Sequence, residues 1–270
     1  MRLMRGSAVT VWVWVLSIPL ASNAGVQAAS NGAENKEVLA TGGLISSLMA
    51  AAITGEPYSA MQVTQTNRKL TDGTTLARHG HHFVARDSEG RVRVERRLAK
   101  GNNGESDTVM VFVMDPIAHT TAIWTTGSKA MNKTVMVIKV PATKRQEPAK
   151  PLPTSTGPQP VVTVEDLGTQ SIQGLPVTVE KKTTIVPVGR SGNDAPITKT
   201  VETWTSPDLK LVMKRQWEDP RSGETTVSLE DFSRAEPDAA LFRVPAGYAV
   251  KTLQQSLKEL EEKLGETSQN

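Results

Sequence analysis

The sequence predicts a mainly β protein, an antiparallel sheet with a few short helices. The clearest sign is Val201–Phe232. There Leu209, Leu211, Met213 and Trp217 alternate with Lys210, Lys214 and Gln216, the period-two pattern of a half-buried strand. Turn chemistry bounds that strand on both sides, Ser206-Pro207-Asp208 before it and Asp219-Pro220-Arg221-Ser222-Gly223 after it. Val227 and Leu229 carry the alternation into a third strand.

The chain begins with a leader. Arg2 and Arg5 precede a nearly unbroken apolar run, Ala8–Leu20, followed by small residues at Ser22-Asn23-Ala24 and Val26-Gln27-Ala28. This is the layout of a secretory signal peptide over residues 1–28, and the run is too short to span a bilayer comfortably. A periplasmic or extracellular location is expected, with no stable transmembrane span after cleavage. Residues 29–57 read as a polar segment and a short amphipathic helix within Leu39–Thr54, where Leu44, Ile45, Leu48 and Met49 share a face.

Strands follow from Tyr58 onward. Tyr58–Thr66 is one; Asp72-Gly73 marks a turn; Thr75–Arg86 and Arg91–Leu98 face each other across Asp87-Ser88-Glu89-Gly90. Gly101–Glu105 reads as a loop, Val109–Met114 as a central strand, Asp115-Pro116 as a turn, and Thr120–Thr125 and Thr134–Val140 as two more strands. Pro141–Pro160 is proline-rich and polar, an extended connection inside a β-rich domain over residues 58–250. Beyond it, strands are expected at Val161–Asp166, Leu175–Val188, Ile197–Thr205, Lys210–Trp217 and Thr225–Phe232, with Gly174 at a hairpin or bulge and Gly189–Pro196 as a loop. Pro237 and Asp238 open one helical turn that returns Leu241 and Phe242 to the sheet. Residues 251–270 form a helical tail with Leu253, Leu257, Leu260 and Leu264 as its stripe.

Composition narrows the function. There is no cysteine among 270 residues, so disulfides, thiolate metal sites and cysteine nucleophiles are excluded. Aromatic residues make up 4% of the chain, which leaves the core to Val, Leu, Ile and Met. The net charge of +3 includes Arg2 and Arg5, so the chain after the leader is close to neutral and its basic residues are scattered. A nucleic-acid partner is not expected.

Several phrases occur together: Asp115-Pro116 after an apolar strand, Leu167-Gly168-Thr169-Gln170, Trp204-x-Ser206-Pro207-x-Leu209, Asp219-Pro220-Arg221-x-Gly223-Glu224, and Ala235-Glu236-Pro237-Asp238-x-x-Leu241-Phe242. They resemble uncharacterised secreted proteins of acidobacterial type. The layout is in turn similar to the LolA/LolB-like superfamily of periplasmic lipoprotein carriers and envelope regulators. That resemblance implies a curved, half-open β-barrel with helices at its mouth. It also implies a lipid, a lipoprotein or an envelope protein as partner.

Catalytic motifs are absent: no G-x-S-x-G, no H-E-x-x-H and no phosphate-binding glycine loop. The His79-Gly80-His81-His82 cluster could place two imidazoles on one strand face, but a polar strand end is the plainer account. Arg91, Arg93, Arg96 and Arg97 read as the solvated face of a strand. Met110, Met114, Met131, Met136 and Met213 suit an adaptable cavity or ordinary core filling. The expectation is a non-enzymatic exported binding protein without cofactor or metal. It would take a lipid, an acyl chain or an envelope partner against Leu211, Met213, Trp217, Val227 and Leu229. A ligand-free interaction scaffold and a metal-dependent hydrolase using His79, His81 and His82 are the alternatives.

Overall fold

The computed structural model describes residues 53–100, 104–127, 133–139, 157–252, 254–256 and 258–259. All of them belong to one compact unit, Leu44–Asn270. The expected leader, most of the expected N-terminal helix, most of the Pro141–Pro160 connection and the tail leucines lie outside the described residues. Ile53 and Thr54, the last two residues assigned to that helix, are not helical.

Several turns are set by a side chain that bonds the adjacent backbone. Asp72 Oδ1 accepts from Thr74 N (2.9 Å) between β1 (Tyr58–Lys69) and β2 (Thr75–Arg86). Asp87 Oδ1 accepts from Arg91 N (2.8 Å) before β3 (Val92–Lys100). Asp115 Oδ1 accepts from Ile117 N and Ala118 N between β4 (Gly104–Asp115) and β5 (Thr120–Thr126). After β6 (Thr134–Lys139), β7 (Val161–Ile172) and β8 (Leu175–Val186) meet at Gln173-Gly174. Both turn residues have positive φ, 50° and 78°, as a two-residue primed hairpin requires. β9 (Ile197–Ser206), β10 (Leu211–Asp219) and β11 (Gly223–Ser233) are the three strands read first from the sequence. Two differences stand out. β4 starts at Gly104, inside the stretch expected as a loop, and β7 runs on to Ile172 through a bulge at Gly168.

All these strands belong to one sheet in the order β12-β6-β5-β4-β3-β2-β1-β11-β10-β9-β8-β7, with β12 at Ala249–Thr252. The β1–β11 ladder joins the strands before the proline-rich connection to those after it. Every pairing is antiparallel except β12 on β6. The edge strands β7 and β12 do not pair with each other, so the sheet stays unclosed. It is also curved. Gln173, at the tip of the β7–β8 hairpin, reaches over β9 and β10 to β11, donating to Leu229 O (2.6 Å) and accepting from Phe232 N (3.1 Å).

Curvature gives the sheet two different faces. The inner face carries Tyr58, Ala60, Val84, Val92, Val94, Met114 and Leu229, in one buried cluster with Val177, Val179, Trp204, Leu209, Leu211 and Met213. Arg86 fastens this cluster by donating to Leu209 O (3.0 Å) and Glu56 O (2.9 Å), its guanidinium lying 5.0 Å from the Tyr58 ring centroid. Burial pushes the Tyr58 phenol up to about 12. The outer face of β2 to β6 carries Ala85, Val111, Val113, Trp124 and Val135 under the C-terminal segment. There Asp238 caps a single 3₁₀ turn, Ala239–Phe242, and Phe242 is buried against that face.

The arginine strand is therefore partly covered on this side. Arg91 lies over the Phe242 ring and Arg93 over the Trp124 ring, each 5.5 Å from the centroid. Arg93 also donates to Leu241 O (2.5 Å) and Glu95 Oε1 (2.7 Å). Beyond β12 a capping box starts the tail helix. Thr252 Oγ1 accepts from Gln255 N (3.2 Å), and Gln255 Oε1 accepts from Thr252 N (2.8 Å).

Candidate binding site

The five residues singled out from the sequence lie on β10 and β11. Leu211, Met213 and Leu229 are buried in the inner cluster. Val227 is buried two positions from Leu229, opposite Thr64 on β1 and Arg215 on β10. Trp217 is half-buried, opposite Thr225 and Val201.

The expected single face along β10 is broken. An extra residue at Met213 shifts the ladder, so that Leu211 pairs with Ser206 and Lys214 with Trp204, whereas Arg215 pairs with Thr203 and Trp217 with Val201. Ser206 and Val201 lie on opposite sides of β9, which puts Leu211 and Trp217 on opposite sides of that ladder. Met213 sits at the bulge between them. Lys214 then lies over the Trp204 ring, 4.5 Å from its centroid.

Polar side chains line the inner face beside this apolar wall. Gln62 and Thr64 alternate with Ala60 and Tyr58 on β1, and both are buried. His82 stands opposite Gln62 on β2 and is also buried. Burial, aided by the nearby charge of Arg96, pushes the His82 imidazole down to about 4, so it is neutral at ordinary pH. Arg215 is half-buried, and burial pulls its guanidinium below the usual value with no acid opposing the shift. Gln62, Thr64 and Arg215 carry no core signal in the sequence, because Met61 and Val63 look like the inward set of Met-Gln-Val-Thr-Gln-Thr. The preceding Tyr58-x-Ala60 in the same phase was the available signal.

The histidine cluster divides. His79 and His81 are exposed on the outer face, opposite Gln65 and Val63, while His82 points inward. Among the described residues, no group of three or more His, Asp or Glu side chains is placed to hold a metal ion. A cavity of about 360 Å³ lies on the outer face between Arg93, Trp124 and the C-terminal residues Leu241, Arg243 and Val244. Among the described residues, no helix is long and apolar enough to cross a membrane.

No protein-family model matches the chain, and no curated protein sequence matches it. Solved structures do. The chain is similar in fold to LolA-superfamily proteins. One such protein from Nitrosomonas europaea overlaps 74% of this chain and 96% of that chain, at 10% identity and a TM-score of 0.28. LprF from Mycobacterium bovis overlaps 76% and 95%, at 15% identity and 0.30. The MucA/MucB complex from Pseudomonas aeruginosa overlaps 76% and 60%, at 14% identity and 0.37. The chain spans 60% to 64% of the length of the MucB chains it matches. Likeness at this level concerns the fold and says nothing of a ligand.

Proposed function

We propose that this is an exported, non-enzymatic binding protein of the cell envelope that holds a lipid or acyl chain against the inner face of its sheet. Its leader over residues 1–28 would direct export. Leu211, Met213, Val227 and Leu229 would form the apolar wall, and Trp217, beyond the bulge at Met213, would join it through its pairing with Thr225 on β11. The observation that carries this reading is the inner cluster itself. It runs continuously from β3 and β4 through β1 to β8–β11, inside a sheet that stays open between β7 and β12. An open curved sheet can admit a chain without unfolding, and burying each methylene of that chain contributes about 0.8 kcal/mol. Titration with a fluorescent fatty acid checks it. Saturable binding is expected, and Leu211→Lys, with its circular dichroism unchanged, should weaken it ~10-fold or more, the effect of a charge in an apolar wall. A folded wild-type protein that shows no saturable binding would contradict the reading.

A second reading, an interaction scaffold, has its own support. Among the described residues nothing pairs with the outer edge of β7, and Val161, Val162 and Val164 are exposed on it, as strand addition by a partner requires. Val162→Lys with Val164→Lys should then abolish partner capture and leave probe binding intact.

A further inference from the structure

Within the apolar interior lies a patch of polar side chains, each with a buried atom that bonds nothing among the described residues. Gln62, Thr64 and His82 are only 2%, 4% and 9% exposed. Gln62 Nε2, Thr64 Oγ1, His82 Nδ1 and Arg215 Nε are all buried without a hydrogen-bond partner. Buried polar groups in folded proteins are nearly always satisfied, and an exception calls for something that completes it. Four together call for one ligand more readily than for four separate defects.

The ladders bring these groups to one place. Gln62 stands opposite His82 on β2 and Leu229 on β11. Thr64 stands opposite Gly80 on β2 and Val227 on β11, and Arg215 stands opposite Val227 on β10. The patch thus spans the neighbouring strands β2, β1, β11 and β10. Gly80 contributes no side chain at the position beside Thr64. On β3, Arg96 stands opposite His82 and adds a second guanidinium at the margin.

The chemistry of the unpaired atoms defines what is missing. Gln62 Nε2 and Arg215 Nε can only donate, the Thr64 hydroxyl can donate, and a neutral imidazole donates from one ring nitrogen. Three other half-buried arginines are provided for: Arg86 by two carbonyls, Arg91 by Asp87, Arg93 by Glu95. Among the described residues Arg215 has no carboxylate partner. The nearest acid along its own face, Asp219, is held by Arg221 and Lys199. A positive, donor-rich patch lined by apolar neighbours is complementary to a negatively charged group rich in acceptors.

We propose that Gln62, Thr64, His82 and Arg215 form an oxyanion-binding site that takes a carboxylate or a phosphate. Where the anion is a lipid headgroup, the site rests on the lipid reading above, with the chain lying along Met213, Val227 and Leu229. A small soluble anion is the other source of the same chemistry.

Calorimetric titration of the whole protein with dodecanoate, dodecanol, acetate and inorganic phosphate separates these cases. Dodecanoate should bind ~10-fold more tightly than dodecanol, and Arg215→Met should shrink that preference to within ~2-fold, as loss of a charge-assisted bond implies. Binding of phosphate or acetate by the wild type, lost in Arg215→Met, with neither twelve-carbon probe bound, would support the site and overturn the lipid reading. Equal binding of dodecanoate and dodecanol, unchanged in Arg215→Met, would overturn the site and leave the lipid reading standing. Binding of none of the four would overturn both. Should Arg215→Met fail to fold, the wild-type preference for acid over alcohol decides, with Gln62→Leu as the second variant.

Discussion

Single side chains here carry consequences that can be measured. His82 is held neutral in the interior with its pKa near 4, against an ordinary value of 6.5. Between those values the unfolded chain binds a proton that the folded chain refuses, so stability must fall as pH drops through that window. The expected loss between pH 7 and pH 5 is about 2 kcal/mol, and His82→Gln should remove it in urea unfolding at the two pH values. Asp219 behaves differently. The hydrogen bond from the Arg221 side chain, offset in part by burial and assisted by Lys199, holds its carboxyl well below the ordinary 3.8. Its contribution is therefore complete above pH 4 and is lost on further acidification, and Asp219→Asn should flatten the stability curve only in that acid range. Gly223 has φ 83°, and a Cβ there would lie 2.2 Å from Asn67 O. Gly223→Ala should cost more than about 1 kcal/mol of unfolding free energy, since strain and overlap act together.

The strands themselves were largely legible, because alternation and turn chemistry are local. Thr75–Arg86 was read to its exact ends, and the Asp-containing turns at 72, 87, 115 and 219 were all anticipated from residues whose side chains bond the adjacent backbone. What escaped was set by neighbours distant in sequence. β12 pairs with β6 over more than a hundred residues, and nothing in Ala-Val-Lys-Thr announces it. The bulge at Met213 leaves the alternating pattern intact on paper while setting Leu211 and Trp217 against opposite sides of β9. Arg91, Arg93, Arg96 and Arg97 look like a wet face in the sequence, but the C-terminal segment lies over Arg91 and Arg93. That segment is held by Phe242, by Arg91 and Arg93 on aromatic rings, and by the bond from Arg93 to Leu241 O. Phe242→Ala should destabilise the fold by about 3 kcal/mol and shift the Trp124 fluorescence to longer wavelength as the outer face becomes wet.

Over the whole molecule, one sheet does two jobs. Its outer face is partly covered, over β2 to β6, by the C-terminal segment, while its inner face combines an apolar wall with polar atoms that bond nothing among the described residues. A protein selected only for stability would gain by replacing Gln62, Thr64 and Arg215 with apolar residues of similar volume. Their retention makes sense if something else completes them. The site was half visible in the sequence. The apolar residues of β10 and β11 were found by their period, but polar residues on an inward face break the rule that reveals a core, and they can be recognised only once the ladder fixes which way they point. Native mass spectrometry of the protein, released gently from the envelope of the cell that makes it, tests the binding function most directly. A population heavier than the bare chain by the mass of one acidic lipid or fatty acid is expected. Finding the bare chain alone, in a protein that also takes up no fatty acid added afterwards, would contradict it.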